Sequence, residues 1–345
     1  MQNKTNRIVE VSVEELVYLG KTAYGEYYTN PSVFRKTWET GYQALREMFA
    51  DSEYVSLPGI SCPPLSYGHL GCIGAKIRYP EDSEPNMTQM VDSVEDGIKW
   101  LERDWDFAKS DLYKLYDAYW RKIKDDFPGQ TYFSGLGKEG PITSAVLMRG
   151  QDFFVDMYEK PEESKKFLSL LTESIIKFDK FMRKINNVTV TGDMGVGLVD
   201  DFAGFTSPGL YDEFVIPYWN QYYGGLTVTG NRWLHCEGMS RKHLPYLAKG
   251  KINHFQPSVS PLLTCQMLAE DLKDSKIQYD WMLPTFDLIA MDDNQIQQWV
   301  KDTVATGAPL IRTQTDRYLI EYCGVEKVFS WLNAFEKIEG EITEP

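Results

Sequence analysis

Apolar residues recur along this chain at two spacings, and the alternation between the spacings predicts its architecture. Over residues 12–49 they return at helical intervals, with Phe34, Trp38, Tyr42, Leu45 and Phe49 on one face and a break at Asn30-Pro31. Ser12 is a candidate N-cap, with Glu15 three residues on as a capping box. Residues 53–58 read as a buried strand closed by Pro-Gly, and residues 61–74 as a loop that holds His69. Residues 75–79 alternate as a half-exposed strand ahead of an acidic turn at 80–85. Two helical stretches fill 93–124. A short strand follows at 131–134, then a glycine-rich loop to 143, a helix over 143–158 and a long amphipathic helix over about 161–185. Further strands are expected at 187–191, running into Gly192-Asp193, and at 231–235, 251–255, 276–279 and 309–312. Ser207-Pro208 has the residue types that open a helix, and a terminal helix is expected over about 325–338.

Short strands alternating with helices argue for βα units and a parallel sheet. The regular architecture that fits is a single-domain (β/α)8 TIM barrel over residues 1–345, with an N-terminal helical part over about 1–50. Seven strands are placed, near 53, 131, 188, 231, 252, 276 and 309; the pattern leaves the eighth unplaced. An open doubly wound sheet is the alternative, but the first βα turn lacks GxGxxG.

Composition narrows the picture. With 345 residues, 43% of them hydrophobic, the chain can fill one large core or two modest ones. No apolar run approaches the ~18 residues of a membrane helix. The first twenty residues interleave Lys4, Arg7, Glu10, Glu14 and Glu15 with apolar positions, so no secretory core is present and a cytoplasmic location is expected. A net charge of −14 argues against nucleic acid or an anionic membrane as partner. Five cysteines, odd in number and without CxxC, argue against a disulfide framework. The 21 Tyr, 17 Phe and 9 Trp fit either plain packing or an aromatic-lined pocket.

In such a barrel the chemistry sits at the carboxyl ends of the strands. The stretch Asn231-Arg-Trp-Leu-His-Cys-Glu-Gly238 puts His235 and Glu237 two residues apart, on one face of an extended chain, with Cys236 turned away. Imidazole and carboxylate so placed can hold a divalent metal, act as an acid–base pair, or simply hydrogen-bond. Other polar residues expected at strand ends are Glu139, Asp193, Asp200, Asp201, Gln256, Asp280, Gln314 and Asp316, with Arg312 and Arg317 beside the last pair. An acid-rich ring with one histidine suits a cation better than a polyanion. Each acid also has a plainer role open to it: Asp200 and Asp201 as braces of the loop before Ser207, Asp193 as a turn residue, Asp280 as a buried structural acid. Arg149 reads as structural. No partner is evident for His69, His243 or His254.

Several ordered segments together resemble the uroporphyrinogen decarboxylase superfamily. They are Gly140-Pro-Ile-Thr-Ser-Ala145 with Met148-Arg-Gly150, the segment from Phe154 to Pro161, Val199-Asp-Asp-Phe-Ala-Gly-Phe-Thr-Ser-Pro208, Tyr211-Asp-Glu-Phe-Val-Ile-Pro-Tyr218, and Leu234-His-Cys-Glu-Gly238. The resemblance covers roughly residues 75–335 and implies a (β/α)8 barrel. It also implies one of two chemistries. Cofactor-free decarboxylases of the superfamily grip tetrapyrrole carboxylates with an arginine-rich N-terminal segment, which this chain lacks; Arg35 and Arg46 fall in a helical pattern instead. The branch similar to methylcobamide:coenzyme M methyltransferases uses zinc held by a His-x-Cys pair and a later cysteine. Here His235 matches the histidine, Glu237 stands at the cysteine, and Ile311-Arg-Thr-Gln-Thr-Asp316 has no cysteine. The resemblance therefore implies a harder zinc at His235 and Glu237, with Asp280 and Gln314 as further ligands, and Asp193, Asp200 or Asp201 orienting substrate. The reaction implied moves a methyl group between a small donor, for example a methoxy compound or a methylated amine or alcohol, and a corrinoid carried by a partner protein. The alternatives are a uroporphyrinogen decarboxylase or related decarboxylase, and a corrinoid- or tetrapyrrole-binding barrel without turnover.

Overall fold

The computed structural model describes residues 5–49, 52–129, 135–188, 195–227, 230–258 and 260–343. Its strands are β1 (Arg7–Val11), β2 (Val55–Ser56), β3 (Ile77–Arg78), β4 (Asn86–Met87), β5 (Val196–Val199), β6 (Arg232–His235), β7 (His254–Gln256), β8 (Gln278–Leu283) and β9 (Leu310–Thr315). β3 and β4 form a small antiparallel ribbon around the acidic turn. The other seven form one sheet, parallel throughout, in the order β2-β1-β9-β8-β7-β6-β5.

That order runs round a ring. The last strand lies beside the first, paired from Arg7 with Ile311 to Val11 with Thr315. A doubly wound sheet reverses its order at a switch point and does not bring its end strands together in this way. On the opposite side, Leu65 bridges Leu136 in parallel sense, and the Gly140 N–H reaches the Val199 carbonyl, so the ring continues from β2 towards β5. This is the curled parallel sheet of a (β/α) barrel. The strand expected at 131–134, residues 189–191 of the strand expected at 187–191, and Asp193 lie outside the described residues.

The strand left unplaced by the pattern is β1. Arg-Ile-Val-Glu-Val alternates with period two: Arg7, Val9 and Val11 are buried beneath the surrounding helices, while Ile8 and Glu10 face the partly open interior. Arg7 hides on the buried face because its charge is met there. It pairs with Glu339 of the last helix (Glu326–Thr343) at 2.6 Å, and its guanidinium lies over the rings of Tyr54 and Phe335. The chain thus enters on a strand, where a helical start was expected.

Other expectations shift in detail. Ser12 caps helix Val13–Leu19 through the Glu15 N–H, but the Glu15 carboxylate turns to the Thr315 hydroxyl and does not return to Ser12. The helix expected over 143–158 is two, Pro141–Arg149 and Phe153–Glu159, separated where Gly150 takes a φ of +85°. The strand leading to Asp200 lies at Val196–Val199, in a stretch the pattern leaves without an element. No helix among the described residues is long and apolar enough to cross a membrane.

Candidate functional site

The carboxyl ends of β5, β6 and β7 converge on His235. Register places Val199 beside His235 and His235 beside Gln256, so the residues that follow these strands share one mouth. Two close backbone approaches hold that mouth together. A Cβ on Gly204 would lie 2.0 Å from the Glu237 carbonyl oxygen, and one on Gly140 would lie 2.5 Å from the Asp200 side chain. Only glycine lets these loops pack so tightly.

Asp200 and Asp201 are adjacent and play different parts. Asp200 is fully buried; Oδ1 accepts the Thr143 N–H at 2.8 Å and Oδ2 accepts the Trp219 indole N–H at 2.7 Å. Burial raises its pKa to about 6 against those donors. It braces the start of helix Pro141–Arg149 and, fully buried, does not reach the mouth. Asp201 is partly exposed. Its Oδ1 accepts the Glu237 N–H at 3.0 Å and lies 3.4 Å from His235 Nε2. Glu237 Oε1 lies 3.7 Å from the same nitrogen.

The other ring nitrogen of His235 is engaged. Nδ1 lies 2.6 Å from Gln256 Oε1, and the Gln256 amide nitrogen donates to Asp280 Oδ2 at 2.8 Å. A carboxylate can only accept, so the amide must turn its NH2 to Asp280 and its oxygen to His235. Nδ1 therefore carries a proton, and Nε2 is the atom presented to Asp201 and Glu237. Burial works against a charge on this imidazole. Glu237 and Asp201 outweigh it, and the pKa of His235 is raised.

Asp280 itself is the hub of a polar layer deeper in the barrel. Its Oδ1 meets His254 Nε2 at 2.6 Å, and Oδ2 lies 3.5 Å from Arg312, which also pairs with Glu10. His254 thus has the partner that its sequence context did not show. With both oxygens occupied and Gln256 between it and His235, Asp280 is not gathered with His235 and Glu237 as a co-ligand. Gln314 lies on β9, three strands round the sheet from β6, and borders a cavity of about 490 Å³ with Glu10 and Ser12. The four-donor zinc site expected from His235, Glu237, Asp280 and Gln314 is therefore not formed, and among the described residues no three His, Cys, Asp or Glu side chains are gathered as a metal-binding group. The looser group of His235, Glu237 and Asp201 is what the mouth offers.

Glu139 completes that group. It is 8% exposed, and burial, followed by the charges of Asp201 and Asp200, raises its pKa to about 8. Its Oε2 is buried without a hydrogen-bond partner among the described residues. Sequence reasoning placed Glu139 and Gln256 at strand ends without giving either a role; the register of Gln256 against His235 is what reveals it. The remaining candidates are structural. Cys236 points away from the mouth towards the Asp200 carbonyl, as alternation predicts. Arg149 pairs with Asp152 and Asp156. His69 is buried against the Ser174 hydroxyl with its pKa lowered to about 3 by burial, and His243 bridges Ser240 and the Thr206 carbonyl.

Comparison with known proteins agrees with this architecture. No curated protein matches the chain. Among solved structures, a methyltransferase from Methanosarcina mazei matches with a TM-score of 0.67 at 15% identity, covering 97% of this chain and 94% of that one; at that identity the likeness speaks for the fold. Residues 67–273, more than half of the chain, match the family described as uroporphyrinogen decarboxylase (URO-D), and the protein belongs to that family.

Proposed function

We propose that the protein is an enzyme that transfers a methyl group from a small donor to a corrinoid carried by a separate protein, and that the transfer takes place at His235, Asp201 and Glu237. The observation that carries this reading is the charge of the mouth. Asp201 and Glu237 face one imidazole, with the protonated carboxyl of Glu139 beside them, while Arg312 and Lys138 are already engaged, Arg312 with Glu10 and Asp280 and Lys138 with Asp179. A tetrapyrrole bearing several carboxylates needs clustered guanidinium groups, so the acidic mouth speaks against decarboxylation of such a substrate. The overall likeness to a methyltransferase supports the same choice.

The bond to be broken joins the methyl carbon to a heteroatom. That atom leaves readily only when it bears positive charge or receives a proton. Gln256 holds the His235 ring so that Nε2 faces the reacting space, and Asp201 and Glu237 stabilise positive charge there. Zinc held by His235 and Glu237, with Asp201 beside them, would polarise the same heteroatom.

The test is a single-turnover assay with free Co(I) cobalamin and a panel of methylated amines, ethers and alcohols, beside elemental analysis for zinc. Methyl transfer that falls ~100-fold or more in His235→Ala supports the reading. Metal-independent decarboxylation of uroporphyrinogen, with no methyl transfer from any donor, overturns it. One zinc per chain, lost in both His235→Ala and Glu237→Ala, assigns the positive charge to the metal.

A further inference from the structure

The mouth has a second character besides its acidity. Phe205 follows β5 and is 65% exposed, although large apolar side chains are ordinarily covered. It lies over Gly238, where a Cβ would come within 3.2 Å of its ring, and so stands next to Glu237. Phe202 lies beside it, with ring centroids 5.9 Å apart. Trp233, on the inward face of β6, stacks on His235 at 6.1 Å and 28°. Carboxylates and aromatic faces therefore border the same space. Glu139 adds a buried carboxyl, close enough to feel the charges of Asp201 and His235, with one oxygen that nothing among the described residues satisfies. A buried polar atom left without a partner is costly unless something else meets it.

Rings and carboxylates together recognise one class of ligand well. An alkylated ammonium presents an apolar, charged surface that gains from ring faces by cation–π attraction and from nearby carboxylates by charge. A neutral ether gains little from the carboxylates, and an anion is repelled. We propose that Glu139, Asp201 and Glu237, with the rings of Phe202, Phe205 and Trp233, form a site for an organic cation, and that the methyl donor is a methylated ammonium compound. The second half rests on the methyl-transfer reading above.

The chemistry balances. The carbon–nitrogen bond breaks with its electron pair going to nitrogen, which departs as a neutral amine. The methyl carbon takes both electrons of its new bond from the acceptor, the Co(I) corrinoid of the partner protein, which is oxidised by two electrons. An amine leaves in this way only if its nitrogen is cationic beforehand; a quaternary nitrogen is so permanently, and for a protonated amine the carboxylates of Asp201 and Glu237 favour the charged form.

Titration calorimetry with choline and tetramethylammonium, set against 3,3-dimethylbutan-1-ol, the uncharged isostere of choline, tests the site. Choline is expected to bind at least about tenfold more tightly than the alcohol, with about fivefold or greater loss in both Glu237→Gln and Phe205→Ala. Both side chains are substantially exposed, so a circular-dichroism melt close to that of the parent protein accompanies the loss. Equal affinity for the alcohol, unchanged choline affinity in both variants, or binding of Zn²⁺ with no binding of either ammonium compound overturns the proposal. Methyl transfer from each ligand to free Co(I) cobalamin is measured in parallel. Transfer from a methyl ether without cation binding overturns this inference and leaves the methyltransferase reading standing. Cation binding with no transfer from any donor supports the site and overturns the reading beneath it.

Discussion

His235 shows how a single amide can determine the chemistry of a ring. Its tautomer is set by Gln256, whose own orientation is dictated by Asp280. Replacing Gln256 with Ala removes the partner of Nδ1 and leaves Asp280 short of a donor. Methyl transfer is expected to fall ~10–100-fold, the usual cost of losing such a supporting contact. A merely structural role would not change the ring's tautomer, so the informative readout is the ¹⁵N shift pair of His235. In the parent protein Nδ1 is expected to keep its proton; in Gln256→Ala the tautomers are expected to mix. An unchanged shift pair would remove Gln256 from the mechanism. At this scale the sequence was informative about identity and poor about role. The i, i+2 rule brought His235 and Glu237 to one face and turned Cys236 away. It did not separate Asp200 from Asp201, because only the packing of Trp219 and of helix Pro141–Arg149 makes one a brace and the other a mouth residue.

Among the elements, the strands with plain apolar runs, β6 to β9, were legible within a few residues. β1 was not, for a physical reason. Its Arg7 sits on the buried face and its Glu10 on the inward face, so charge falls at both phases of the period, and only Glu339, Tyr54, Phe335 and Arg312, all remote in sequence, make those charges tolerable. β5 went unmarked because Val196-Gly-Leu-Val199, with its glycine, reads as loop until Trp233 is seen to cover Gly197. The loops after β5 and β6 carry their own prediction. Ala at Gly204 must push the Glu237 carbonyl aside, because the added carbon would lie 2.0 Å from it. Gly204→Ala is expected to destabilise the fold by about 1–3 kcal/mol in urea titrations, the usual range for overpacking. It is also expected to weaken donor binding by moving Glu237; a variant with parental stability and binding would refute the close approach.

For the whole molecule, three buried carboxyls set the direction of pH dependence. Burial raises Glu15 and Glu139 to about 8 and Asp200 to about 6. Each is an acid whose folded pKa lies above its unfolded value. Between the two values the folded chain holds a proton that the unfolded chain has lost, so stability declines as pH rises through that window. The protein is expected to be more stable near pH 5.5 than near pH 9, with the slope extending to about pH 8 for the two glutamates. Urea midpoints across that range test this, and Glu15→Gln, which removes one of the titrating groups, is expected to flatten the slope. A midpoint that climbs steadily from pH 5.5 to 9 would contradict the burial of these carboxyls.

The pairing of β1 with β9 also bears on how the barrel is made. Residues some three hundred positions apart meet along five rungs of the ladder, so the contact order of this one junction is about as long as the chain allows. During synthesis the sheet can assemble from β5 onward while β1, able to pair with β2 on one edge, waits with its other edge unmatched until β9 has left the ribosome. Closure is then a late, non-local event, and such events are slow and expose strand edges meanwhile. In refolding experiments the slowest phase should therefore be the pairing of β1 with β9, and the late protection of the β1 and β9 amides in pulsed hydrogen exchange would follow it.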